Sequence, residues 1–197
     1  MSDCLSAPFL IQKIMACTFT LGRLEPCKDS VGGLKNVYLI NFDDLTWANV
    51  SFDATTGEVD GITLAANAEA FKYELKGNND FNETITSSRE NGTTFYEQVL
   101  TLNLKKLSAK SHKEIKLLVA ARPKVVVEDN NGNFFLAGAE FGMDVTAGNI
   151  TRGVAMGDAS GYTLTLTGME SRPSEFLDAT TVTAFLTEVS TSTIDDI

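Results

Sequence analysis

The hydrophobic period of this chain changes once, sharply, within Tyr96–Lys124, YEQVLTLNLKKLSAKSHKEIKLLVAARPK. Leu100, Leu102 and Leu104 alternate with Val99, Thr101 and Asn103, the period-two signature of a half-buried strand. Ser111 and Glu114 then have the spacing of a capping box, and Ile115, Leu118 and Val119 follow as one apolar stripe of a short helix. Pro123 ends it by disfavouring helical geometry at Arg122. The stretch predicts a strand followed by the only clear helix of a chain that otherwise reads as β.

The rest of the chain is a series of short extended pieces. Residues 1–30 mix apolar fragments with Pro8 and Pro26 and read as an N-terminal arm. In Asn36–Asn41, Val37 and Leu39 share one face while Tyr38 and Ile40 share the other. Trp47–Phe52 and Gly61–Leu64 read as further strands, and in Ala68–Leu75 the residues Phe71, Tyr73 and Leu75 share a face. Lys76–Asp80 is a tight loop, Phe81–Ser87 a Thr-rich strand, and Asn91-Gly92 a turn. Ala68–Lys105 therefore reads as three antiparallel strands. Lys124–Glu128 and Phe134–Ala137 flank the turn DNNGN as a hairpin. Gly138–Gly157 reads as a short strand and a loop. Gly161–Glu170 is the cleanest strand, with Tyr162, Leu164 and Leu166 inward and Thr163, Thr165 and Thr167 outward. Val182–Val189 reads as a last strand, or residues 178–197 as a C-terminal arm. Many short strands with one helix predict a mainly β fold: a β-sandwich or small barrel with one flanking α-helix, a long β-hairpin and terminal arms, its main domain spanning residues 31–177.

No residue set carries catalysis, a cofactor or a metal. The single histidine, His112, lies among Lys110, Lys113 and Lys116 and reads as a solvated helix residue. Gly157–Gly161 has the wrong spacing for a nucleophile elbow, and Gly32-Gly33-Leu34-Lys35 resembles only the end of a phosphate loop. Asp129–Asn133 looks superficially like a calcium loop but lacks the alternating ligands and the closing glutamate, so it reads as a hairpin turn. Cys4, Cys17 and Cys27 have no metal-ligand spacing and read as small apolar residues of a reduced protein. Ala7–Ile11 is too short for a signal segment and no apolar run reaches membrane length, which predicts synthesis in a cytoplasm and no membrane partner.

Charge is segregated. The net charge is −10, which disfavours a free nucleic-acid-binding module. Yet Lys105, Lys106, Lys110, Lys113, Lys116, Arg122 and Lys124 cluster in one stretch, opposed within it by Glu114. Acids dominate elsewhere, among them Asp43, Asp44 and Asp60 early and Asp195-Asp196 late. One basic element on an acidic chain suits head-to-tail pairing between copies, and such contacts generate rings or filaments.

The run from Lys72 to Leu177 resembles the tail-tube proteins of tailed bacteriophages and related ring-forming virion proteins. The resemblance rests on a long hairpin, a strand leading into a helix, the DNNGN hairpin, a glycine-rich stretch and the closing GDASGYTLTLTGMESRP. It implies hexameric rings stacked into a virion tail tube whose acidic β-lined lumen lets DNA pass without specific binding. It also implies self-association and contacts with other tail and portal proteins after synthesis in a bacterial host. On that basis Ala68–Asn91 is the expected stacking hairpin, with Lys76, Asn78, Asp80, Glu83 and Glu90 at its contacts. Lys105, Lys106, Lys110, Lys113 and Lys116 are expected to meet Asp43, Asp44 and Asp60 of a neighbour. The alternatives are a head–tail connector or tail-terminator ring, or a carbohydrate-binding or adhesion β-sandwich. The last calls for clustered exposed aromatics, whereas Trp47 and the tyrosines read as core.

Overall fold

The period-two segments become two stacked antiparallel sheets with a third layer behind them. The structure is a computed structural model and describes residues 21–25 and 27–190. Residues 21–25 and 27–30 belong to a separate unit and form neither helix nor strand. The second unit begins at Val31. Its strands are β1 (Leu34–Ile40), β2 (Val50–Phe52), β3 (Val59–Ile62), β4 (Phe71–Glu74), β5 (Asp80–Ser88) and β6 (Thr93–Lys105). Helix α1 (Ala109–Ala120) precedes β7 (Lys124–Asp129), β8 (Phe134–Ala137), β9 (Asp144–Thr151), β10 (Gly161–Glu170) and β11 (Glu175–Phe176), and α2 (Ala179–Thr187) follows.

The central sheet has the order β11-β8-β7-β1-β4, and the outer sheet the order β5-β6-β10-β9. Between them Val37, Leu39, Val125 and Val127 meet Leu100, Leu102, Leu164 and Leu166, with Ile115 and Leu118 of α1 closing one side. The other face of the central sheet, including Tyr38, Ile40, Val126 and Leu136, packs against Val50 and Val59 of the β2–β3 hairpin and Phe185 of α2. A strand buried on both faces needs apolar residues at successive positions, which is why Val37–Ile40 of β1 and Val125–Val127 of β7 read as unbroken apolar runs. Both sheets are open, so the mainly β architecture is the sandwich rather than the barrel.

Several sequence expectations are corrected. Ala68–Lys105 is not one three-stranded unit. β4 pairs with β1 in the central sheet, and β5 and β6 form a hairpin in the outer one. The chain crosses between sheets at Leu75–Asn79, where Leu75 is buried and the buried Asn79 carboxamide oxygen accepts from the Asn103 N–H at 2.6 Å. Along the face expected to hold Phe71, Tyr73 and Leu75, burial rises from the exposed Phe71 through the half-buried Tyr73 to the buried Leu75. Trp47–Asn49 is a 3-10 turn, so the strand there shrinks to β2. The glycine-rich Gly138–Gly157 holds the eight-residue β9.

Both helices differ from expectation. α1 starts earlier: Ser108 is the N-cap, its Oγ accepting from the Ser111 N–H at 3.0 Å, so the Ser111–Glu114 box is not the cap. Val119 is 54% exposed, and the buried stripe is Ile115 and Leu118. The segment expected as a final strand or arm is helix α2, with Asp178 accepting from the Thr181 N–H at 2.7 Å and Thr181 and Phe185 buried one turn apart. Its Thr and Val residues favour strand locally, but the cap and the core contact at Phe185 decide for helix. The N-terminal arm expected over residues 1–30 and the end of the chain lie mostly outside the described residues.

Candidate assembly surfaces

The outer sheet exposes two strands that other proteins usually guard. β5 (DFNETITSS) and β9 (DVTAGNIT) are its two edges, and neither holds a lysine, arginine or proline. Most residues of both are exposed. Edge strands carry a row of unpaired N–H and C=O groups, and monomeric proteins blunt such edges with charge, proline or short length. The sheet is antiparallel throughout and even in strand number, so β5 and β9 run in opposite directions. A rotated second copy can therefore set its β9 beside β5 and continue the antiparallel ladder.

The open face of this sheet is flat and charge-poor. Register places Thr84 and Thr86 of β5, Val99, Thr101 and Asn103 of β6, and Thr163, Thr165 and Thr167 of β10 on it. Cross-strand polar contacts tie them together: Thr163 Oγ1 donates to Asn103 Oδ1 at 3.0 Å, and the Thr146 and Thr167 hydroxyls meet at 2.9 Å. On β5, β6 and β10 the charges of this face are Asp80 and Glu97, and the first basic residue is Lys105 at the end of β6.

The predicted charge partners stand apart within one chain. Lys105 ends β6, Lys106 follows in a left-handed turn (φ 67°), and Lys110, Lys113 and Lys116 are exposed on α1. Among the described residues Lys105, Lys110, Lys113 and Lys116 make no ion pair; those present join Lys35 to Glu128, Lys72 to Glu74 and Arg122 to Asp144. Asp43 and Asp44 lie in the turn after β1, and Asp60 lies on β3, accepting from Ser51 Oγ at 2.5 Å. β3 packs on the far face of the central sheet from α1. Of the predicted stacking residues, Lys76 and Asn78 fall in the crossover between sheets, Asp80 and Glu83 on β5, and Glu90 at the hairpin turn. The hairpin itself is β5–β6, not Ala68–Asn91.

Buried polar groups stiffen this frame, and sequence reasoning missed them. The Gln98 side chain is 1% exposed, donates to Glu83 Oε1 at 2.9 Å and accepts from the Gly138 N–H at 2.8 Å. Glu83, itself exposed, also accepts from the Ser174 N–H at 2.6 Å and from the Ser174 hydroxyl at 2.8 Å. Glu170 accepts from the Phe141 and Glu140 amides at 2.9 and 3.2 Å. Burial pushes its carboxyl above the usual range, against the pull of those amides. These bonds clamp residues 138–141, the link from central to outer sheet. A polar residue on an inward strand position was the available signal, at Gln98 and at Glu170.

Catalytic furniture is sparse. His112 is exposed, with the Tyr162 ring 6.2 Å away. The cavity bordered by Trp47, Gln98, Glu170 and Arg172 holds about 10 Å³, room for roughly one water. Among the described residues no cluster of His, Cys, Asp and Glu could hold a metal ion, and Cys27 is a free, exposed thiol. No helix among them is long and apolar enough to cross a membrane. No known protein family and no curated protein matches this chain. The reading of its function rests on the surfaces just described.

Proposed function

We propose that this chain is a structural protein whose copies join β9 to β5 into a closed ring, and that such rings form a bacteriophage tail tube. The observation that carries this reading is the pair of long, antiparallel edges without lysine, arginine or proline on one even-stranded sheet. Pairing β9 with β5 is heterologous, and a heterologous contact closes into a ring when its rotation permits. Six copies, the number the tail-tube resemblance implies, would contribute about 24 strands. At about 4.8 Å per strand the ring is roughly 115 Å around, and side chains leave a bore of roughly 27 Å. Duplex DNA fits such a bore. A wall of Thr and Asn with Asp80 and Glu97, where the one basic residue of β5, β6 and β10 is Lys105 at the rim, gives phosphate little to hold, which keeps passage fast. The basic face of α1 and the acids Asp43, Asp44 and Asp60 then serve contacts between copies.

The test is particle mass in solution with negative-stain imaging. Rings or tubes with a central hole are expected, and the double variant Thr84→Lys/Thr86→Lys on the β5 edge should dissociate them. Single rings that never stack would move the reading to a head–tail connector. A monomer at every concentration tested, or edge variants that assemble normally, would overturn it.

A further inference from the structure

Residues 152–160, which join β9 to β10, hold two apolar side chains in water. Val154 and Met156 are fully exposed, at 103% and 110%. Their loop is nonetheless built. Asp158 Oδ2 accepts from the Val154 and Ala155 N–H groups, each at 2.8 Å, and the Asp158 N–H donates to the Ala155 carbonyl at 3.1 Å. Gly153 closes the turn at φ 71°, where a Cβ would stand 2.8 Å from Asp158 Cβ. At the base the Lys106 N–H donates to the Ser160 carbonyl at 2.8 Å. An ordered tip that presents apolar groups loses little entropy when it docks.

An open cleft of about 370 Å³, lined by both apolar and polar side chains, lies elsewhere on the same chain. Leu34, Phe81 and Phe135 supply its apolar surface, Glu83 and Asp129 its carboxylates, and Asn131 and Ser174 further polar groups. That volume accommodates a valine and a methionine side chain together. Arg152, at the start of the loop, has the charge opposite to Glu83 and Asp129.

Strand register brings the two features together between copies. Gly161 pairs with both Thr151 and Lys105, and Asp80 pairs with Thr101, so the loop and the first residues of β5 lie at the same end of the outer sheet. When β9 of one copy lies along the whole of β5 of the next, Thr151 reaches Asp80 and Phe81, and the loop that follows lies at the start of that β5, next to Phe81 of the cleft. We propose that the β9–β10 loop of one copy inserts Val154 and Met156 into the cleft of the adjacent copy, with Arg152 beside its carboxylates. This rests on the ring reading and adds to it a side-chain lock that fixes the register of edge pairing. Backbone ladders alone slip easily when both faces of an edge are polar.

The test uses the full chain with a photoreactive benzophenone amino acid at position 156, mixed with isotope-labelled copies. Irradiation should yield covalent dimers whose cross-linked peptides contain Leu34, Phe81 or Phe135 of the other copy. Separately, Val154→Glu/Met156→Glu should raise the concentration needed for assembly roughly 10- to 100-fold. The melting curve of the monomer should not move, because both side chains are exposed. Cross-links that fall away from the cleft, or a glutamate variant that assembles like the wild type, would overturn the lock. The ring reading would survive that result if Thr84→Lys/Thr86→Lys still dissociates the assembly. A chain that never assembles and gives no cross-linked dimer overturns both.

Discussion

Lys124, only 2% exposed, donates its ammonium to the carbonyl oxygen of Ala139 across 2.7 Å. The same ammonium lies 5.0 Å from the centre of the Phe42 ring. Burial lowers its pKa, while Glu170 and Glu140 act in the opposite direction. Lys124→Met keeps the side-chain length, leaves the Ala139 carbonyl without its donor and removes the cation near Glu170. It should cost about 2–4 kcal/mol in urea unfolding. Below the ordinary lysine pKa the folded wild type holds its proton less tightly than the unfolded chain does. Wild-type stability should therefore rise as pH climbs through the depressed folded pKa toward 10.5, and the variant should lack that rise.

Two buried glutamates should act with opposite signs in acid. Burial pushes Glu128 up, but hydrogen bonds from Asn36 at 2.6 Å, Lys35 at 2.6 Å and Tyr38 at 3.0 Å outweigh it, and its pKa lies below the ordinary 4.5. Its contribution is present above 4.5 and is lost as pH falls through the lower folded value. Burial holds Glu170 above 4.5, so the folded chain gains stability as pH drops through that raised value toward 4.5. Glu128→Gln should flatten the acid limb below 4.5, and Glu170→Gln the segment above it. Thermal melts of both variants between about pH 3 and 7 decide this, and a Glu170→Gln profile that overlays the wild type would contradict the assignment.

The start of α1 separates the two serines. Ser108→Ala should destabilise by about 1 kcal/mol, because it removes the acceptor for the Ser111 N–H. Ser111→Ala should cost much less, since its side chain does not cap the helix. Equal losses in denaturant titrations would restore the Ser111–Glu114 box.

Gly161 opens β10 where a Cβ would stand 2.1 Å from the Leu104 carbonyl oxygen. That neighbour is backbone in a paired strand and cannot swing away. Gly161→Ala should force the β6–β10 ladder apart at this end and lower the melting temperature, with amide exchange quickening first at Leu104 and Lys105. Exchange unchanged there would show that the ladder absorbs the methyl group.

Charge reversal on the helix tests the electrostatic part of assembly. Lys110→Glu/Lys113→Glu/Lys116→Glu removes exposed cations that make no ion pair among the described residues. Assembly should weaken and lose its salt dependence, while the monomer's melting curve changes little. Unchanged assembly with unchanged salt response would remove α1 from the contact.

Local pattern was enough to place most strands and their buried faces. Alternation at Leu100–Leu102–Leu104, at Tyr162–Leu164–Leu166 and along Val37–Ile40 reports which side chains leave water, and each of these residues lies where its pattern puts it, Leu104 half-buried at the end of its strand. The DNNGN turn was legible because Asp129 folds it locally, accepting from the Asn131 and Asn133 N–H groups at 2.8 Å. Pairing was not legible. β4 has the same alternation whether it joins β5 or β1, and the choice came from the burial of Leu75 and Asn79 at the crossover. Helix α2 was hidden for the same reason: Thr and Val favour extended backbone in isolation, and the Phe185 contact with Tyr38, at 5.5 Å between rings, exists only once β1 is in place. The candidate surfaces divide likewise. Sequence alone determined the segregated charge of α1 and the acid-rich remainder, because charge is a property of residues. The open edges of β5 and β9, the hydrogen bonds of Glu83 to Gln98 and Ser174 and the common end shared by the 152–160 loop and β5 depend on contacts between residues far apart in the chain. Strand order decides those contacts, and no local pattern encodes it.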